Sequence, residues 1–291
     1  HVSGDHYTIS EAWLDRVQEV LDYAVDDDMY VILNIHHDTD KEYCYPDKEH
    51  LEQSLSYMTF IWEQLADRFG DYDEHVIFES INEPRLVETD HEWWLDMNAA
   101  ECVEAVECIN EWNQNFVDVV RKTGGNNATR YLMVPGYDAS ADGVLNDKFV
   151  LPTDTAENEG KILVSVHAYI PYHFALQAAT ENESIDQFNA SEKTSTNDID
   201  QMMEKLYAKY ISNEIPVVIG EFGARDKNGN LQSRVDYAAY YIAAARAYGM
   251  SWNWWDNNAF TGDGELFGLL DRKTVTWRYP KIVDALMKYA E

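Results

Sequence analysis

The sequence predicts an α/β chain of the (β/α)8-barrel type that encodes about six βα units, the third to the eighth. Three observations predict it. Short apolar runs alternate with stretches of helical periodicity through all 291 residues, the pattern of a parallel sheet with crossover helices. Polar and aromatic residues cluster just after each run: His36-His37-Asp38, Asn82-Glu83, Tyr137, His167 with Tyr169, Glu221, and Trp255. Chemistry at the C-terminal end of every strand is the habit of a closed barrel. An open doubly wound sheet gathers its site at one switch point beside a glycine-rich turn. Neither G-x-G-x-x-G nor a P-loop occurs in this chain.

The elements follow in order. Ser10 to Asp28 has helical spacing, with Ser10 as cap and Trp13, Val17, Val20, Leu21 and Ala24 as the inward face. Met29 to Ile35 is a continuous apolar run, expected to be a strand buried on both faces. Leu51 to Phe69 reads as a helix stopped by Gly70, and His75 to Ile81 as a strand. Asn98 to Lys122 is a long helix ending at Gly124-Gly125, and Arg130 to Pro135 a strand. Any helix in the loop that follows is short. Lys161 to His167 is a strand, Asn197 to Tyr210 a helix and Pro216 to Gly220 a strand. Ser233 to Tyr248 is a helix, Met250 to Trp255 a strand and Tyr279 to Tyr289 a final helix. The loops Lys41–Lys48, Leu86–Trp94, Tyr172–Thr196 and Asn257–Gly264 are expected to rim a cleft. No linker-like tract divides the chain, so residues 1–291 read as one domain. The start at His1, in a loop before a helix, reads as a processed product or a fragment. It places the first two βα units upstream of this segment.

The net charge is −31. Such a surface repels nucleic-acid backbones and other polyanions, while a neutral polymer is not repelled. Nine Trp and nineteen Tyr suit both core packing and stacking on the apolar faces of sugar rings. No run is long and apolar enough to span a bilayer, and no signal peptide is visible. Cys44, Cys102 and Cys108 leave at least one thiol free and show no metal-type spacing.

Two carboxylates carry the chemistry. Val76 to Ile81 leads into Asn82-Glu83-Pro84, and Pro216 to Gly220 into Glu221. Retaining glycoside hydrolysis needs one carboxylic acid to protonate the leaving oxygen and one carboxylate to attack the anomeric carbon, the two about 5–5.5 Å apart. The blander alternative is a pair of buried ion pairs, with Arg85 or Arg225 as partners. Asn82 can donate to a sugar 2-hydroxyl, and Pro84 keeps Glu83 extended. His36 is the better candidate of its pair to face the site, with His37 second, because neighbours on a strand point to opposite sides. No set of metal ligands at fixed spacing accompanies them. His167 and Tyr169 fall on one side of their strand, where a phenol could hold a nearby carboxylate. Trp252, Trp254 and Trp255 can floor a sugar subsite or pack the core. No G-x-S-x-G elbow and no H-E-x-x-H occurs.

Taken together, Ile32 to Asp38, Ile81 to Arg85, His167-Ala168-Tyr169, Ile219 to Gly223 and Trp254 to Asn257 resemble glycoside hydrolase family 5. Gly124 to Asn127, Tyr131 to Tyr137 and Phe267 to Arg272 resemble its bacterial endoglucanase and xyloglucanase subfamily 4. The resemblance runs in order along essentially the whole chain. It implies a (β/α)8 barrel and retaining hydrolysis of β-1,4-glucans without metal or other cofactor. It implies Glu83 as acid/base and Glu221 as nucleophile. His36, Asn82, His167, Tyr169 and Trp255 then surround the reacting sugar, with His37, Tyr137 and Trp254 as further substrate contacts. A polymeric glucan is too large to enter a cell, so a secreted bacterial enzyme is expected. Xyloglucanase, lichenase and mannanase are the alternatives within the family. The chain departs from the family pattern by lacking its first two strands, including one that bears an arginine supporting the nucleophile. That departure keeps a catalytically impaired glucan-binding piece and a self-associating scaffold as rival readings. It also predicts that another copy, a separate N-terminal piece or rearranged elements cover the gap.

Overall fold

The computed structural model describes residues 2–4, 7–262 and 264–288. His1, expected in a loop, and Tyr289, expected to close the last helix, lie outside the described residues. The chain forms two compact units, residues 1–165 and 166–291.

The first unit opens with a small antiparallel hairpin, Val2–Ser3 against Thr8–Ile9. It continues through α1 (Glu11–Asp26), β1 (Val31–Asn34), α2 (Leu51–Arg68), β2 (Val76–Glu79), α3 (Ala100–Lys122), β3 (Leu132–Pro135), α4 (Ala141–Leu145) and most of β4 (Ile162–His167). β1 to β4 pair in chain order and in parallel, with Asn34 opposite Glu79 and Pro135 opposite Ser165. The apolar runs end together, so the polar residues after them emerge at one end of the sheet. Trp62 of α2, Phe78 of β2 and Phe116 of α3 pack at centroid distances of 4.6–5.4 Å. All three are fully buried, and each contributes about 2–3 kcal/mol of hydrophobic stabilisation. The turn before β2 is fixed by Arg130. Its buried guanidinium donates to the carbonyls of Phe69, Gly70, Tyr72, Asp73 and Val76 at 2.6–3.2 Å. Burial pulls its pKa down to about 10, so it stays cationic at neutral pH.

Two expectations fail in this unit. Trp13 and Val20 are exposed on α1, while Leu14 and Leu21 are buried. Leu14 is the better start of a stripe that turns through Val17 to Leu21, and Trp13 and Val20 lie one residue off it. β1 is not buried on both faces: all four of its residues are half-buried, and Met29 and Tyr30 before it are exposed. Among the described residues β1 is the terminal strand, paired with β2 alone.

The second unit holds the last two residues of β4, then α5 (Tyr172–Ala175), α6 (Lys193–Lys209), β5 (Val217–Phe222), α7 (Leu231–Ala247), β6 (Ser251–Trp254) and α8 (Pro280–Met287). A short hairpin pairs Leu270–Asp271 with Thr276–Trp277. α6 begins four residues earlier than its apolar stripe suggests, because buried Thr196 continues the face of Ile199 and Met203. β5 and β6 are parallel, and their register shifts between Ile219 and Phe222. The core of this unit is aromatic. Phe222 stacks on Tyr241 at 4.3 Å, and Tyr237 packs among Phe174, Phe188 and Phe222.

Candidate active site

In the first unit the site-forming residues emerge from β1 and β2. The backbone NH of Asn82 donates to the carbonyl of Ile35 at 2.9 Å, which extends the β1–β2 pairing past both strands. Asn82 is buried and Glu83 half-buried. Arg85 reaches back to Glu83, with Nη1 2.9 Å from its carbonyl oxygen and 3.7 Å from carboxylate Oε2. The same guanidinium lies 3.4 Å from Glu92 and 4.0 Å above the Trp93 ring. Its charge is therefore shared among three groups. His36 is half-buried and His37 exposed, their rings edge to face at 4.4 Å.

One residue of this region is not singled out by the sequence pattern. Glu79, the last residue of β2, is buried. It accepts from Asn34 Nδ2 at 2.8 Å and from Ser165 Oγ at 2.6 Å. Asn34 Nδ2 also lies 3.5 Å from Asn82 Oδ1. A second omission is Trp93 and Trp94, both exposed on the loop after β2. The placement of that loop among the rim segments is the only sequence signal for them.

In the second unit Glu221 lies inside β5, not after it. The register shift around it is a strand irregularity of the kind that re-aims a side chain. The backbone is anchored where Ala168 NH donates to the Glu221 carbonyl at 2.9 Å. The buried carboxylate has two neighbours from the end of β4. The Tyr169 hydroxyl donates to Oε2 at 2.7 Å, and His167 Nδ1 lies 3.7 Å from Oε1. A neutral phenol donor at that length is complementary to an anionic carboxylate. The Tyr169 ring packs on Phe267 at 5.2 Å. A Cβ on Gly223 would meet that same Phe267 ring at 3.0 Å, so glycine lets the backbone after β5 pass under it.

Several candidates have other work. Tyr137 is fully buried; its hydroxyl donates to the His91 carbonyl at 2.6 Å and accepts from Leu86 NH at 3.0 Å. It fixes the 86–91 loop and presents no surface to a sugar. The neighbouring Gly136 and Gly143 explain its depth: a Cβ on Gly143 would sit 2.2 Å from the Tyr137 carbonyl oxygen. Trp254 donates its ring NH to the Phe267 carbonyl and packs edge-on against Phe222. The backbone NH of Trp255 donates to the Phe222 carbonyl at 2.9 Å, and its ring is half-buried. Arg225 is spent on the carbonyls of Leu176 and Gly264, at 2.9 and 2.6 Å. The three cysteines are buried free thiols. Asp47, Glu49 and His50 bring ligand atoms within 4.8 Å of one another. There the His50 ring already bonds Asp47 at 2.8 Å.

A family model described as cellulase (glycosyl hydrolase family 5) matches residues 1–261. The chain belongs to glycosyl hydrolase family 5. It is 42% identical over 291 residues to endoglucanase B of Ruminococcus albus, covering 100% of this chain and 66% of that protein. The chain thus spans about two thirds of that relative's length. A family 5 lichenase from Caldicellulosiruptor sp. F32, solved as a mutant with cellotetraose, is 59% identical with a TM-score of 0.98. That match covers 100% of this chain and 78% of that one. A GH5-4 broad-specificity endoglucanase from Ruminococcus champanellensis with bound cellotriose is 43% identical with a TM-score of 0.88, covering 99% and 78%. The family 5 and subfamily 4 resemblance read from the motifs is borne out. So is the fold class, the (β/α)8 barrel, six of whose parallel strands are described above.

Proposed function

We propose that this family 5 chain is a retaining endo-β-1,4-glucanase in which Glu221 is the nucleophile and Glu83 the acid/base. The observation that carries the reading is the setting of Glu221. It is a carboxylate buried at a re-aimed position in β5, with a phenol on one oxygen and an imidazole near the other. Arg225, the arginine weighed as its ion-pair partner, points its guanidinium at the carbonyls of Leu176 and Gly264.

In the first step a Glu221 oxygen bonds to the anomeric carbon and the glycosidic C–O bond breaks. The Glu83 proton goes to the departing oxygen. In the second, Glu83 as carboxylate takes a proton from water. The water oxygen bonds to the anomeric carbon and the ester to Glu221 breaks. Asn82 donates to the 2-hydroxyl, a contact that strengthens in the transition state. His36, His37 and Trp255 belong to the same reading as contacts of the reacting sugar. Its natural target is cellulose or a related β-glucan outside the cell, because the polymer cannot enter one.

The test is a substrate panel with Glu221→Ala as control. Soluble cellulose derivative, mixed-linkage glucan, xyloglucan and mannan are assayed side by side, with product anomers followed by NMR. The expected result is cleavage of the β-1,4-glucan with the β anomer formed first, and a loss of at least about 10³-fold in Glu221→Ala with its circular dichroism unchanged. Preference for mixed-linkage glucan would move the reading toward the lichenase-type relative. Substantial turnover by the alanine variant, or the α anomer as first product, would overturn the assignment.

A further inference from the structure

We propose that Glu79 is a positioning residue which, through Asn34, sets the amide of Asn82 with its nitrogen left for a substrate hydroxyl. The inference rests on the role proposed above for Asn82 and goes beyond it. It names what fixes that amide.

Glu79 is 2% exposed and has Ser165 Oγ at 2.6 Å and Asn34 Nδ2 at 2.8 Å. The 2.6 Å bond from Ser165 Oγ has the length of an O–H···O⁻ contact to a carboxylate. An ionised carboxylate only accepts. Asn34 must therefore turn its NH2 toward Glu79, and its oxygen is excluded from that side. The two residues are register partners at the ends of β1 and β2, which holds them face to face. The second hydrogen of the same nitrogen is directed at Asn82, 3.5 Å away. That separation is long for a hydrogen bond, but its sign is fixed. Turning the Asn82 amide over would set NH2 against NH2. Asn82 Oδ1 thus faces Asn34, and Asn82 Nδ2 is the group left over. One buried negative charge fixes two amide orientations in series, and the outcome is a donor where the sugar 2-hydroxyl needs one.

The experiment uses two substrates of one length, an aryl β-cello-oligosaccharide and its analogue with 2-deoxyglucose at the reacting position. Wild type, Asn82→Ala, Glu79→Gln and Asn34→Ser are compared on each, together with their melting temperatures. Glutamine at 79 can donate as well as accept, so it frees both amides to turn. The expected result for Glu79→Gln is about a tenfold loss on the 2-hydroxy substrate, in kcat more than KM, and no loss beyond about twofold on the 2-deoxy substrate. Asn34→Ser leaves Glu79 its Ser165 anchor and should show the same dependence on substrate, so the test survives if Glu79→Gln fails to fold. Equal losses on both substrates for Glu79→Gln and Asn34→Ser, or no loss on either, would overturn the relay while Asn82→Ala remains substrate-selective. If Asn82→Ala itself loses equally on both, the 2-hydroxyl role fails, and the relay with it.

Discussion

The two glutamates are held in opposite ways. Glu83 sits beyond the end of β2, half-buried, on a loop whose Arg85 is also committed to Glu92 and Trp93. Glu221 sits within β5, buried, with its backbone bonded to Ala168 and its carboxylate to Tyr169. A group that must give up a proton and take one back benefits from a setting its leaving group and water can reach. A group that must attack one carbon along one line benefits from rigidity. The division of labour proposed for them follows this contrast, not the residue type, which is the same in both.

Varying the leaving group separates the two glutamates most widely. Glu83→Ala removes the proton donor, worth about 10²–10⁴-fold on a glucan whose alcohol leaves poorly. On a dinitrophenyl β-cellobioside the leaving group needs no proton, so formation of the glycosyl-enzyme should be nearly unimpaired, visible as a burst of phenolate. Glu221→Ala should show no burst on the dinitrophenyl cellobioside and no turnover of the glucan. If both variants respond alike to the leaving group, the two roles are not distinct.

A smaller effect is expected one bond away. Tyr169→Phe deletes the donor to Glu221 and keeps the ring packed on Phe267. A lost hydrogen bond to a charged group is worth about 1.5–3 kcal/mol, so kcat/KM should fall by roughly 10- to 150-fold. The melting temperature should stay within a few degrees. A loss in stability that matches the loss in activity would make Tyr169 a packing residue.

How much of this was legible in the sequence divides along physical lines. The strands were legible, and so was the candidacy of the two glutamates, because an apolar run that ends in a carboxylate is a local signal. Glu79 was not, although it lies in the same run as Glu83. A strand buried on all sides gives no alternation to say which of its end residues turns inward. Tyr137 stands after a strand as a site residue would, yet its hydroxyl is buried against the His91 and Leu86 backbone. The close approach of Gly136 to Gly143, which has no local sequence signature, leaves room for that depth. The buried cations were wholly hidden. Arg130 and Lys227 look like surface residues in composition, and their partners are mostly backbone carbonyls, which have no sequence signature.

Those two cations extend the comparison and give its smallest test. Arg130 clamps the first unit and stays charged at any pH the protein meets in ordinary assays. Lys227 clamps the second: its buried ammonium donates to the His173 carbonyl at 2.6 Å, Ser184 Oγ at 3.1 Å and the Ile185 carbonyl at 3.2 Å. Burial, and then the nearby Arg225 charge, lower its pKa to about 8. In the unfolded chain a lysine titrates near pH 10.4. Between about pH 8 and 10.4 the unfolded chain therefore binds more protons at this position than the folded one, and the lysine's contribution to stability rises with pH across that window. Melting temperatures of wild type and Lys227→Met, taken from pH 7 to pH 10, isolate the effect. The gap should widen in favour of wild type above pH 8, by a few degrees. An equivalent series for Arg130→Met should show a large gap at every pH and no trend between 7 and 9. A gap for Lys227 that is flat through pH 10 would mean its three acceptors hold the ammonium against burial, and the two clamps would then be alike.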